Sequence, residues 1–180
     1  MSVTVDLDGS GSSKVRTGVG FFDHLLTSFS HHSLIDLTVE VDGDLAVDDH
    51  HTVEDTALVL GEALGESLGD RSRIVRFGEA TVPMDEALAR CAVDVGGRAY
   101  SVIELPLSTP YIGNLTTQNL AHALEALART AGFTLHLAAS GSNDHHIAEA
   151  AFKALARAVR IAVTADERRQ GIASTKGLVT

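Results

Sequence analysis

Two short stretches constrain this chain more than anything else in it. "DDHHTVED" (Asp48–Asp55) and "NDHHIAEA" (Asn143–Ala150) each carry two adjacent histidines and a glutamate in the pattern HHxxE, 95 residues apart. Random placement of the residues predicts about 0.03 such matches per chain, so two are not coincidence. Around each copy the periodicity follows the same order. "SVTVDLDGSGSSKVRTGVGFF" alternates around a Gly/Ser turn and predicts a hairpin. A helix over "DHLLTSFSHHS" follows, then "IDLTVEVDGDLAV", which predicts a second hairpin turning at Gly43. "HHTVEDTALVLGEALGESLG" has apolar spacings of three and four and predicts a helix. "FGEATVPM" and "ARCAVDVGGRAYSVIEL" are strand-like, joined by a turn around Pro83 and Asp85. "TTQNLAHALEALARTAG" is an amphipathic helix stopped by Gly132, then come the strand "FTLHLAA" and a last helix beginning at the second HHxxE. The expected fold class is α/β (α+β), with two pseudo-symmetric halves from an internal duplication, residues 1–95 and 96–180.

Composition narrows the function. With 180 residues, 44% of them hydrophobic, the chain can bury a real core. A net charge of −10, no basic run and 4% aromatic residues argue against a nucleic-acid partner. No apolar run approaches the roughly 20 residues of a spanning helix. A single cysteine and an N-terminus without an apolar signal region lead to the expectation of a cytoplasmic protein without disulfides.

The duplicated histidines point to metal. Asp49 and Asp144 are candidate helix N-caps, but capping does not call for two imidazoles beside a carboxylate, which are costly to bury unpaired. Neighbouring helical residues point about 100° apart, whereas i,i+3 and i,i+4 residues share a face. His50 and His51 should therefore serve different ions, with Glu54 able to accompany either, and His145, His146 and Glu149 repeat the arrangement. One helix cannot close both sites, so further ligands are needed. His24 and His122, on the equivalent short helices, are the natural donors, and half-sites facing two ways suit completion by neighbouring subunits. Imidazole with carboxylate favours Mn, Fe, Co or Zn over Ca or Mg. A zinc peptidase of the H-x-x-E-H type is excluded, because Asp55 and Ala150 stand where its last histidine would be.

"GVGFFDHLL", "DDHHTVEDTALVLGEAL", "RFGEATVPMDEALAR", "DVGGR", "NDHHIAEAAFKALARA" and "STKG", in order along the chain, resemble the imidazoleglycerol-phosphate dehydratase family of histidine biosynthesis. The resemblance implies a ribosomal-protein-S5-domain-2-like fold, two Mn(II) per subunit and a twenty-four-subunit cage that shares its metal sites. It implies metal ligation by His24, His50, His51, Glu54, His122, His145, His146 and Glu149. Substrate contacts fall on His24, His32, Arg76, Arg98, Ser174, Thr175 and Lys176, of which Arg76, Arg98 and the Ser174–Lys176 segment match phosphate-binding positions; guanidinium forks suit a phosphate. His31 is expected at the surface and His136 in a structural role.

The implied reaction removes an unactivated C–H proton and expels hydroxide from a small phosphorylated imidazole. Metals on the ring nitrogens would favour the imidazolate that expels the hydroxyl, with Glu54, His50 and His51 as candidate catalytic proton carriers. Family members open on a further strand with an R-x-T-x-E-T-like segment, for which "SVTVDLDGSG" offers no match, so weakened turnover is expected. Two alternatives stay open: a non-catalytic metal-binding assembly protein, and a hydrolase or isomerase using the same binuclear site.

Overall fold

The computed structural model describes residues 1–176. In chain order its elements are β1 (Ser2–Asp6), β2 (Ser13–Arg16), α1 (Gly20–Ser33), β3 (Asp36–Glu40), α2 (His50–Ser67), β4 (Phe77–Met84), β5 (Ala87–Asp94), β6 (Tyr100–Glu104), β7 (Tyr111–Ile112), β8 (Leu115–Thr116), α3 (Gln118–Ala131), β9 (Thr134–Ser140) and α4 (Asp144–Val163). The mixed α/β class expected from the periodicity is the one observed.

The first expected hairpin is not formed. β3 lies between β1 and β2, antiparallel to β1 and parallel to β2. The carboxylate of Asp36, at the start of β3, accepts from the amides of Ser10 and Ser12 at 2.8 Å each, so the connecting turn is closed by the inserted strand. Alternation marks a half-buried strand but does not name its neighbour. The second expected hairpin fails as well. After β3 the Val41 amide donates to the Arg16 carbonyl, the chain turns at Asp44 to Val47, and Val47 is left 73% exposed. Pro83 belongs to β4, an edge strand where its missing N–H costs no ladder bond. The turn itself sits at Asp85, with φ 49°.

The second sheet repeats the first: β9 lies between β5 and β6, antiparallel to β5 and parallel to β6. β4 extends it on the β5 side, so the order is β4-β5-β9-β6, and β4 and β5 join this sheet although they precede residue 95. Helices cover one side of each sheet: α1 and α2 lie on the first, α4 and α3 on the second. The helices then meet across the halves, α1 on α4 and α2 on α3. α4 is buried on several faces by Ala148, Ala150, Ala151, Ala154, Ala156, Ala158 and Ala162, whose small side chains allow close approach on each. Phe22, Leu25, Phe29, Leu60, Leu64, Leu120, Leu124 and Phe133 fill the space between. No helix among the described residues is long and apolar enough to cross a membrane.

Candidate metal centres

The cross-half helix contacts determine which ligands meet. α1 on α4 brings His24 of the first half to His145 and Glu149 of the second, while α2 on α3 brings His122 of the second half to His50 and Glu54 of the first. In each trio the donor atoms all lie within 4.8 Å of one another. In the first, His24 Nε2 and His145 Nε2 approach Glu149 Oε2 at 3.3 and 3.2 Å. In the second, His50 Nε2 is 3.3 Å from Glu54 Oε2 and His122 Nε2 is 3.1 Å from Glu54 Oε1. Helical i,i+4 spacing supplies one histidine and the glutamate of each trio, and a helix of the other half supplies the second histidine.

His51 and His146 stand outside both trios. His51 Nδ1 is 3.0 Å from Asp44 Oδ2, and His146 Nδ1 is 2.8 Å from Glu86 Oε2. Their carboxylate partners hold both imidazoles above their ordinary pKa, and the His146 ring in turn holds Glu86 down to about 2. The adjacent histidines thus diverge as helical geometry requires.

The expected caps are corrected by the structure. The carboxylate of Asp49 does not cap α2; it accepts from the Thr116 amide and hydroxyl, both at 2.7 Å, and from Asn119 Nδ2 at 3.1 Å. Asp144 likewise accepts from the amides of Ser108 at 2.9 Å and Thr109 at 2.6 Å. Burial alone would raise both acids, but these hydrogen bonds win and leave both lowered and ionised. The residue before each aspartate serves the helix end: Asp48 accepts from the His50 amide and Asn143 from those of His145 and His146. A side chain one position nearer the helix cannot curl back while tethering a distant loop.

Three neighbours of the trios were not expected from sequence. Lys153 Nζ donates to Glu149 Oε1 at 2.7 Å. Burial would raise Glu149, yet Lys153 and His24 hold it down to about 2. Asn119 Oδ1 lies 3.2 Å from His50 Nδ1, and the Phe21 ring lies 4.8 Å from that of His145. The i+4 spacing of Lys153 from Glu149 was a readable signal; Asn119 and Phe21 left none.

The other substrate-side residues divide. His32 sits half-buried near Lys153 and Arg157, and burial together with those cations favours its neutral form. The guanidinium of Arg76 forks onto Asp94 at 2.7 and 2.8 Å and donates from Nη1 to the Ala173 carbonyl, which ties down the segment leading to Ser174. The Lys176 amide donates to Ser174 Oγ at 3.2 Å; Thr175 lies between them, and Arg98 is exposed after β5. His31 and His136 are exposed, His136 on β9.

Comparisons with known proteins point to one family. The family model of imidazoleglycerol-phosphate dehydratase matches residues 17–159. Imidazoleglycerol-phosphate dehydratase of Methanothermobacter thermautotrophicus is 54% identical over 177 residues, 98% of this chain and 90% of the relative. That of Methanococcoides burtonii is 50% identical over 179 residues, 99% of this chain and 93% of the relative. Among solved structures, the Staphylococcus aureus enzyme superposes with a TM-score of 0.84 at 40% identity, covering 91% of this chain and 92% of that one.

Proposed function

Since the chain belongs to the imidazoleglycerol-phosphate dehydratase family, we propose that it is a cytoplasmic hydro-lyase converting imidazoleglycerol phosphate to imidazole acetol phosphate in histidine biosynthesis. We further propose two Mn(II) per subunit, one at each trio, and a cage of twenty-four subunits that share the metal sites. The observation that carries the reading is the pair of His₂Glu trios, each closed across the two halves.

The donor set fits such ions. Two imidazoles and a carboxylate suit a borderline transition metal, and three ligands leave positions for substrate. When bound, the metals would act as Lewis acids on the imidazole ring of the substrate. Everything else is assigned to residues of the chain. His51 and His146 face away from their own trios, each with one ring nitrogen on a carboxylate, and would complete those of a neighbouring subunit. Glu54 presents both oxygens to histidines and carries no lysine clamp, so of the two glutamates it is the one suited to moving the C–H proton, with His50 beside it and His51, reaching a neighbouring subunit, as further carriers. Glu149, locked by Lys153, serves as a fixed ligand. Arg98, Ser174, Thr175, Lys176 and the Asp94-forked Arg76 would gather at the phosphate, and His32, neutral beside Lys153, would face the substrate. We read the two halves as products of internal duplication.

The test is turnover of imidazoleglycerol phosphate by the purified chain with Mn(II). The expected result is formation of the acetol phosphate, lost with chelator and reduced about 10²- to 10⁴-fold by Glu54→Gln. Failure to form product with metal bound would overturn the dehydratase assignment in favour of a binuclear hydrolase or a non-catalytic assembly form.

A further inference from the structure

The two trios are related by the fold's repeat, yet their surroundings differ in chemistry. Phe21 and Asn119 occupy equivalent places, each three residues before the trio histidine of its short helix, His24 or His122. Lys153 and Leu58 are likewise equivalent, each four residues after the trio glutamate.

Asn119 is 3% exposed and makes two contacts that leave it one orientation. Its Nδ2 donates to the carboxylate of Asp49, which can only accept. Its Oδ1 therefore faces His50 Nδ1 as an acceptor, and His50 must carry its proton there. The lone pair of His50 is then on Nε2, on the side of Glu54 Oε2. Two acceptors face one another at 3.3 Å, an arrangement that a cation relieves. Asp49 is in turn held by the Thr116 amide and hydroxyl, so the relay from loop to imidazole is anchored at both ends.

Among the described residues the other trio has no such relay. His145 lies against the Phe21 ring, tilted by 50°, where the equivalent ring of His50 has the Asn119 amide, and a phenyl ring is no strong hydrogen-bond acceptor. Glu149 already shares one oxygen with the ammonium group of Lys153, a half-buried cation that opposes a second cation nearby.

We infer that the two metal sites of this chain are unequal, with Asn119 as a positioning residue that preorganises His50 and makes the His50/Glu54/His122 site the tighter one for a divalent transition metal. The His24/His145/Glu149 site, without a tautomer-fixing partner and beside Lys153, is the first to release its ion. Outer partners of metal-bound histidines are typically worth 10- to 100-fold in affinity, which sets the scale of the difference. The inference rests on the metal-binding reading proposed above.

Full-length protein stripped of metal and titrated with Co(II) against a competing chelator, followed by the visible absorption of cobalt, tests it. Two uptake steps separated by about 10-fold or more are expected. Asn119→Ala should weaken the tight step about 10- to 100-fold and leave the weak step in place. Lys153→Met, in the other trio, should tighten the weak step alone, and His145→Ala should remove it, which assigns the steps to the sites. Two equal steps in the unsubstituted protein, or equal displacement of both steps by Asn119→Ala, would overturn the inequality and leave the metal reading intact. Absence of Co(II) uptake would overturn the metal reading itself. Lys153→Met keeps the inference open to refutation if Asn119→Ala does not fold: an unmoved weak step then counts against it.

Discussion

Single side chains carry much of the site's electrostatics, and the Glu86–His146 contact gives a clear pH signature. Glu86 is held down to about 2 from its ordinary 4.5, mainly by His146, so its contribution to stability is present above about 4.5 and fades as pH falls toward 2. His146 is raised from its ordinary 6.5, mainly by Glu86, so its contribution is present below 6.5 and is lost as pH rises through the folded value. In metal-free protein the stability difference between the unsubstituted chain and Glu86→Gln should therefore be largest between about pH 4.5 and 6.5 and shrink on both sides. Urea melts across pH check this, and a pH-independent difference would remove the pair from the account. Asp144 offers a second test at the same scale. Its carboxylate takes the amides of Ser108 and Thr109, so Asp144→Ala should cost about 1.5 to 3 kcal/mol in urea unfolding, the worth of hydrogen bonds to a charged group. At this scale the sequence was legible where spacing carries the information. The i,i+4 histidine and glutamate of each trio, and the divergence of His51 and His146, follow from helical geometry. The aspartates were misread because a local cap and a long-range tether use the same residue type just before a helix.

Among the elements, the close fit of α2 on α3 brings His122 to Glu54, and Gly61 permits it. A β-carbon on Gly61 would lie 2.1 Å from Thr130 Oγ1 and 2.5 Å from the Leu127 carbonyl oxygen. Gly61→Ala gains up to about 1 kcal/mol of helix propensity, but the forced separation should outweigh it and leave a net loss of about 1 to 3 kcal/mol. Chemical denaturation of the two proteins decides the sign, and a stabilised variant would show that the helices can part without cost. Helix limits were readable because apolar spacings of three and four persist over whole segments and Gly132, at φ 68°, ends α3 where expected. Strand partners were not readable. The alternation in β1 and β2 is the same whether they pair with each other or with β3 inserted between them, and only the contact of Asp36 with the 10–12 turn distinguishes the two.

For the molecule as a whole, His51 and His146 stand outside the trios that the chain closes itself, each against a carboxylate, and on the proposed reading this ties metal to assembly. If neighbouring subunits complete the sites with these histidines, binding free energy becomes association free energy. Light scattering of the Mn(II)-loaded protein should show a large assembly that chelator reduces, and His51→Ala with His146→Ala should hold the protein at the smaller mass even with Mn(II). A mass indifferent to chelator would assign assembly to protein contacts alone. The repeat of the ligand motif was legible at this scale. The exchange of donors between halves was not, since it depends on which helix faces which across the core, and linear spacing is silent on that.

That exchange orders events during synthesis. His24 leaves the ribosome early but meets no partner until His145 and Glu149 follow, about 125 residues later, whereas His50 and Glu54 wait only about 70 residues for His122. At about 5 to 20 residues per second, the trio on α2 and α3 can close about 1 to 5 seconds before the one on α1 and α4. A nascent chain that has released α3 but not α4 holds one whole trio and a single histidine of the other. On the proposed reading, the second metal can be taken up only once α4 has emerged.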